Sequence, residues 1–435
     1  MTTFQKGQHI YFIGIGGISM SGLAEILADK GCIVSGTDIK ESPVTKHLQN
    51  LGIHINFGHK AENITDDVDL VVYTAAIHPD NPEYQAAQAK HIPLMDRARL
   101  LGEIMAEYKD SIAVAGTHGK TTTTSMVSEI LLAAGTDPTI TVGGILPTIS
   151  SNLKIGHSPY FVAEACEYFD SFLQFKPFVG VILNVESDHL DYFKNLANIR
   201  RSFHAFADLV PQRGFVIANA DDSGAMAAVK GLAHPVFTFS VRDDGADCRA
   251  ENVAFHDGCG EFDVMIHGKF YAHVALAVAG KHNISNALAA AAAAYVLGIG
   301  GKAVEEGLHS FHGAGRRFEF KGTYHGADVF DDYAHHPGEL HALLTTARSM
   351  PYKRIICAFQ PHTYTRTQAL FEDFVRELKL ADIAVLAEIY AARETNDIGI
   401  SSSQLAAEIP GAIYCSTLDQ VADTLAQIAQ PEDLI

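Results

Sequence analysis

At 435 residues the chain is too long for one ordinary core and calls for two or three domains. Its 47% hydrophobic and 19% charged residues are the balance of a soluble globular protein. The net charge of −19 excludes a general nucleic-acid binder, whose phosphate contacts need a basic surface, but leaves room for a local basic site and a small anionic substrate. The six cysteines (Cys32, Cys166, Cys248, Cys259, Cys357, Cys415) form no C-x-x-C pair, which points to reduced thiols and against a disulfide frame or structural zinc. No signal-peptide layout opens the chain and no apolar run is long enough to span a bilayer, so a cytoplasmic protein without a membrane partner is expected.

His9 to Ile13 predicts a buried strand, followed by the glycine-rich turn Gly14-Ile15-Gly16-Gly17-Ile18-Ser19 and a helix to Lys30 capped by Gly31. A second strand, Cys32 to Ser35, leads to Asp38, which lies 22 residues past Gly16, near the spacing of a ribose-binding acid. Ser19 replaces the third glycine of G-x-G-x-x-G. The chemistry asks only for a pyrophosphate at a helix N-terminus, so a dinucleotide such as NAD and another nucleotide diphosphate both satisfy it. Leu70 to Tyr73 is another strand, and the loop beyond it carries His78 as a ligand candidate; a bare loop histidine is the bland alternative. Glu107 to Asp110 reads as a charged linker.

Residues 111–125, SIAVAGTHGKTTTTS, combine a strand, a glycine turn and a helix start. Gly116, Thr117, His118, Gly119, Lys120, Thr121 and Thr122 make a shortened phosphate cradle, G-T-H-G-K-T, with Val114 where the strict pattern has its first glycine. Backbone N–H groups and the new helix attract an anion, Lys120 neutralises phosphate charge, and the Thr121 hydroxyl can ligate Mg²⁺. Four successive threonines at a helix start are not what helix propensity would select, so the pattern points to ATP.

Two further strands, Phe161 to Glu167 and Gly180 to Leu183, bring Glu164 and His189 to strand ends as candidate metal ligands; charged strand ends that merely reach solvent are the alternative. Segment 214–275 alternates like a peripheral sheet with no evident function. Asn283 and Asn286 precede an alanine-rich helix predicted over Ala287–Leu297 and share one helical face. They suit an adenine edge or, for Asn283, a helix cap. Further on, Arg316-Arg317 follows a glycine hinge. Three strands then end in polar clusters: Asp331 to Pro337, Gln360 to Arg366 and Glu388 to Glu394. His335 and His336 are adjacent and poorly placed to share one zinc ion.

Taken together, IGIGGISMSGLAEIL, AGTHGKTTTTSM, EACEYFDSFL, GKHNISNALAA, GRRFE, DDYAHHP, FQPHTYTRT and EIYAARE resemble the Mur ligases of cell-wall synthesis over nearly the whole chain. The resemblance implies an α/β protein of three domains: a Rossmann-like domain for a UDP-sugar at 1–108, a central ATPase at 109–313 and a Rossmann-like domain at 314–435. It resolves the first turn in favour of UDP, giving Gly14, Gly16, Gly17, Ile18, Ser19, Asp38 and His78 to the sugar nucleotide. It further implies that Lys120, Glu164, His189, Arg317 and Asp332 are catalytic, that Thr121, Glu164 and His189 hold Mg²⁺ (two ions), and that Asn283, Asn286, Arg317 and Asp332 serve ATP. His335, Arg366, Tyr390 and Arg393 fall to the carboxylate and amino acid.

The implied reaction joins L-alanine to the lactyl carboxylate of UDP-N-acetylmuramate through an acyl phosphate, with closure about hinges near 108–110 and 313–315 and room for a weak homodimer. A recycling ligase of a tripeptide, an NAD-dependent oxidoreductase and an inactive UDP-sugar binder are the rivals. Several family members carry a carbamoylated lysine about fifteen residues past the metal-site histidine; here that position is His204, so the modification is not expected. Pro431 to Ile435 is expected to open a final strand, after which the resemblance implies a further loop and helix.

Overall fold

The computed structural model describes residues 4–74, 76–392 and 394–435. Three sheets follow one another along the chain. The first contains β1 (His9–Ile13), β2 (Ile33–Asp38), β3 (His54–Phe57), β4 (Leu70–Tyr73) and β5 (Leu94–Asp96), in the order β3-β2-β1-β4-β5 and all parallel. The order reverses between β1 and β4, and the glycine turn after β1 and the loop after β4 leave the sheet at that crevice, where open α/β sheets bind ligands.

The second sheet has ten strands: β6 (Asp110–Ala115), β7 (Thr139–Leu146), β8 (Ser151–Lys154), β9 (Tyr160–Glu164), β10 (Val179–Ile182), β11 (Phe215–Asn219), β12 (Val236–Ser240), β13 (Cys248–His256), β14 (Cys259–Ile266) and β15 (Lys269–Ala279). Strand β6 lies between β9 and β10, parallel to both. Ile112 to Ala115 and Val179 to Ile182 are wholly buried, as a parallel strand covered on both faces requires. The segment expected as a peripheral sheet instead extends this one. Strands β11 and β12 continue the parallel run, and β13–β15 form antiparallel hairpins at one edge, as β7 and β8 do at the other. The alternation came from those hairpins: Phe262, Val264 and Ile266 point inward beneath the alanine-rich helix.

The third sheet comprises β16 (Glu319–Tyr324), β17 (Ala327–Asp331), β18 (Arg354–Phe359), β19 (Ile383–Ala387), β20 (Ile413–Cys415) and β21 (Asp433–Leu434). Its order is β16-β17-β21-β18-β19-β20, parallel except for β16. The short final strand is inserted between β17 and β18.

The first and second units share one apolar core. At its centre, Gly102 of the helix Arg97–Met105 lies so near the Gln174 carbonyl that a Cβ there would stand 1.9 Å from the oxygen, so only glycine fits. The presumed charged linker is pinned as well, since Glu107 accepts from the Lys30 ammonium at 2.9 Å.

Candidate functional site

Around the first glycine turn, the Gly16 N–H donates to Asp38 Oδ2 at 2.8 Å, joining the two residues that the sequence spacing had related. A Cβ on Gly16 would sit 2.7 Å from that same oxygen, which explains the glycine. Gly14 has φ +80°, Gly17 is the N-cap of the helix Ile18–Asp29 without any side-chain cap, and Ile18 is exposed. The open helix start therefore offers its N–H groups to an anion. Arg97 donates to Ser19 Oγ at 3.3 Å and adds a positive charge that the sequence reading missed. His78 is exposed on the loop beyond β4.

The phosphate cradle follows β6, and the helix Lys120–Ala133 begins at Gly119 in a left-handed conformation (φ +84°). Its shape is set from β10: Asn184 accepts from the Thr117 and His118 N–H groups and donates back to the His118 carbonyl. The Lys120 ammonium donates to the carbonyls of Gly116 (2.6 Å) and Thr117 (3.1 Å) and to Glu167 Oε2 (2.9 Å). Burial alone would lower the Lys120 pKa, but the Glu167 carboxylate more than offsets it and keeps the ammonium charged. Glu167 was missed because it stands three residues beyond the strand-end acid Glu164.

Thr121 is buried and packs towards Gly144, while the Glu164 carboxylate accepts from the Gly143 N–H at 2.6 Å. Thr121 through its methyl group and Glu164 through its carboxylate thus both face one Gly-Gly stretch of β7. His189 is stacked on Tyr168 with ring centroids 4.3 Å apart and lies within electrostatic reach of Glu167 and Lys120. Burial pushes its imidazole pKa down.

A cavity of about 1150 Å³ lies between the second and third units, lined by His118, Gly119, Thr122, Asn283, Asn286, Arg317 and Asp332 among others. Both asparagines belong to the helix proper, which starts at His282 and not at Ala287. Asn283 does not cap it: its side-chain amide donates to the Ala279 carbonyl at 2.7 Å, and Asn286 donates to Asn283 Oδ1 at 3.1 Å. Asp257, Cys259 and Ala277–Ala279 line the same cavity, so the edge hairpins are not remote from the site. Asp332 accepts from the Phe318 N–H at 2.8 Å and the Ala334 N–H at 2.7 Å, fixing the loop that carries Arg317; burial raises its pKa.

His118 reaches into this cleft between Glu186 and Glu339, 3.6 and 3.4 Å from their carboxylates. Burial alone would lower its pKa, but the two acids hold it up to about 9. Neither acid was singled out from sequence, since each is recognisable only from its partner far along the chain, 68 positions away for Glu186 and in the third unit for Glu339.

A smaller cavity of about 260 Å³ is lined by Tyr168, Asp188, His189, His362 and Arg366, among others. Arg366 donates through Nε (3.3 Å) and Nη2 (3.1 Å) to Asp188 Oδ1, joining the third unit to the second. His335 donates to the Tyr333 carbonyl at 2.9 Å, with its ring 6.0 Å from that of His362; Tyr390, exposed, lies 5.6 Å from His362 on another side. Arg393 lies outside the described residues.

Three family sequence models match the chain in succession: "Mur ligase family, catalytic domain" at 9–109, "Mur ligase middle domain" at 114–294 and "Mur ligase, glutamate ligase domain" at 316–435. The chain is 49% identical to a UDP-N-acetylmuramate–L-alanine ligase of Caldanaerobacter subterraneus, over 99% of this chain and 94% of that one. To the enzyme of the same name from Agathobacter rectalis it is 52% identical, over 92% and 88%. Among solved structures, the UDP-N-acetylmuramate–alanine ligase MurC of Thermotoga maritima matches with a TM-score of 0.79 at 30% identity, over 98% and 94% of the two chains. A murein peptide ligase from Psychrobacter arcticus matches with a TM-score of 0.73 at 27% identity, over 99% and 95%. With this succession of domains and this level of identity over its length, the chain belongs to the Mur ligase family.

Proposed function

We propose that the protein ligates L-alanine to the lactyl carboxylate of UDP-N-acetylmuramate at the expense of ATP. The observation that carries this reading is the meeting, in one cleft, of the phosphate cradle of the second unit with Arg317 and Asp332 of the third, in a chain about half identical to ligases of that name.

The residues suit the chemistry. A carboxylate resists acylation because its leaving group would be oxide; transfer of the γ-phosphoryl group makes an acyl phosphate, and the amine then expels phosphate. Two anions must approach each other, which demands concentrated positive charge in a site shielded from water. Lys120, already charged and fixed by three acceptors, faces the phosphates, and Arg317 adds a second cation from the opposite wall. Asn283 and Asn286 serve the nucleotide. Gly14, Gly16, Gly17, Ile18, Ser19, Asp38 and His78 are proposed for the UDP-sugar, with its pyrophosphate at the open helix start. The smaller cavity, with Arg366 at its wall, is proposed for the amino acid, and His335, Tyr390 and Arg393 are proposed to serve the carboxylate and the amino acid.

The Thr121 hydroxyl and the Glu164 carboxylate form the oxygen set that suits Mg²⁺, and His189 is assigned to a second ion. Bound there, Mg²⁺ would supply charge neutralisation between the γ-phosphate and the carboxylate. The reading includes a cytoplasmic location, and among the described residues no helix is long and apolar enough to cross a membrane. It assigns the chemistry to one chain and leaves a weak homodimer to sedimentation velocity.

The test is phosphate release from ATP in the presence of UDP-N-acetylmuramate, Mg²⁺ and either single amino acids or the tripeptide. Release with L-alanine that disappears in Lys120→Ala supports the reading. Release only with the tripeptide assigns a recycling role, and no release with any amine overturns the assignment.

A further inference from the structure

Three side chains meet at the large cleft without touching, His118 and Glu186 lining it and His336 buried beside it. His118 Nε2, Glu186 Oε2 and His336 Nδ1 surround the position a Cβ would take at Gly338, at 3.4, 3.3 and 3.5 Å. Ligand atoms of the three residues all lie within 4.8 Å of one another. Because residue 338 is glycine, no side chain intrudes on the space between the three ligand atoms.

The surroundings orient each donor. His336 Nε2 faces the Ser187 carbonyl at 3.2 Å, and a carbonyl only accepts, so the proton is on Nε2 and the lone pair is on Nδ1. That lone pair caps the helix start by accepting from the Gly338 N–H at 3.2 Å, a bond that an ion bound by Nδ1 replaces. His118 presents Nε2 to Glu186 while Nδ1 faces the Glu339 carboxylate at 3.4 Å, so an ion bound at Nε2 takes the place of the proton there, which is released to solvent. Both His118 ring nitrogens are buried and neither makes a hydrogen bond. A histidine backed by a carboxylate and a second backed by a backbone carbonyl are the outer contacts that orient metal-bound imidazoles. Two carboxylates, Glu186 and Glu339, balance the charge of a dication.

We propose that His118, Glu186 and His336 bind a borderline divalent transition ion of the Zn²⁺ or Co²⁺ type, with a coordination position open to the cleft. Two imidazoles and one carboxylate select such an ion over Mg²⁺, which prefers oxygen donors. This site is separate from the oxygen set of Thr121 and Glu164. His118 and Glu186 belong to the second unit and His336 to the third, so the ion fastens the two units together beside the phosphate cradle.

The full-length protein, stripped of metal, is titrated with Co²⁺ and followed by its visible bands, and then with Zn²⁺ by calorimetry. One equivalent is expected, with Kd rising at least about tenfold in His336→Gln and Glu186→Gln. Gly338→Ala serves as an independent variant: it fills the centre while removing no ligand, and alanine suits the first turn of a helix. It is expected to abolish the Co²⁺ bands while leaving circular dichroism unchanged. Absence of bands in the unaltered protein overturns the proposal. So does binding that survives all three variants, or binding lost only in Glu164→Gln, which would place the ion at the oxygen set.

Discussion

Lys120 Nζ lies 2.9 Å from Glu167 Oε2, and the carboxylate is almost fully buried. The cradle's cation is therefore held in place before any nucleotide arrives. Lys120→Ala is expected to lower phosphate release by ~10²–10³-fold, the usual loss for one preorganised electrostatic contact. It also strands a buried carboxylate, at a cost of about 3–5 kcal/mol. Lys120→Met combined with Glu167→Gln removes both charges and should regain most of that stability while staying inactive. Urea unfolding of Lys120→Met, Glu167→Gln and the double variant measures the coupling; strictly additive losses would show that the pair is not a unit.

Arg366 and Asp188 join the third unit to the second at the smaller cavity. Burial alone would raise the Asp188 pKa, but Arg366 and then His189 and His336 bring it down to about 2, so the pair is ionised throughout the neutral range. Arg366→Ala is expected to raise the half-saturating amino-acid concentration by ~10–100-fold, the equivalent of one charged hydrogen-bonded contact, and to leave that for ATP within about threefold. Steady-state kinetics with each substrate varied in turn decide this. An equal loss for both substrates would assign Arg366 to holding the units together and not to the amino acid.

Gly102 allows a close approach between the first and second units. In Gly102→Ala the added methyl meets the Gln174 carbonyl, and helix Arg97–Met105 must shift, at a cost of about 1–3 kcal/mol. Arg97 stands at the start of that helix, so UDP-sugar affinity should fall along with Tm. A Tm equal to that of the unaltered protein would show that the interface yields freely.

Asp433 anchors the inserted strand β21. Arg354 grips it with two bonds, Nε to Oδ1 at 2.9 Å and Nη2 to Oδ2 at 2.6 Å, and the hydrogen-bonded guanidinium holds its pKa below the usual aspartate value. The folded state thus binds this proton less readily than the unfolded chain. The stabilisation is complete above about pH 4 and fades as pH falls through the lowered folded value. Asp433→Asn should cost about 1–3 kcal/mol at neutral pH, and its difference from the unaltered protein should shrink as the solution is acidified. Thermal melts across that range provide the measurement.

The local signals were legible in the sequence: the two glycine turns, the helix beginning at Lys120 and the strands with polar ends all rest on patterns a few residues long. The pairing of Gly16 with Asp38 could be read from spacing because one βαβ unit separates them. Glu167, Arg97, Glu186 and Glu339 could not. Each is recognisable only by its partner, and Glu339 meets His118 across 221 positions of chain. The late start assigned to the alanine-rich helix had a local cause, since Gly280 and two asparagines resemble a turn while tertiary packing draws them into the helix. The hairpins β13–β15 alternate plainly, but alternation does not reveal which sheet a strand joins.

The dependence of the phosphate cradle on Asn184 bears on how the protein folds. The cradle's hydrogen bonds come from a residue 66 positions after His118, and β6 is enclosed by β9 and β10, so no short fragment around Lys120 can assume the phosphate-binding shape. Long-range parallel pairings form slowly because loop closure precedes any compensating contact. Nucleotide capture should therefore emerge together with the burial of the central sheet during refolding, and ATP would rescue a slowly folding chain only after that sheet has assembled.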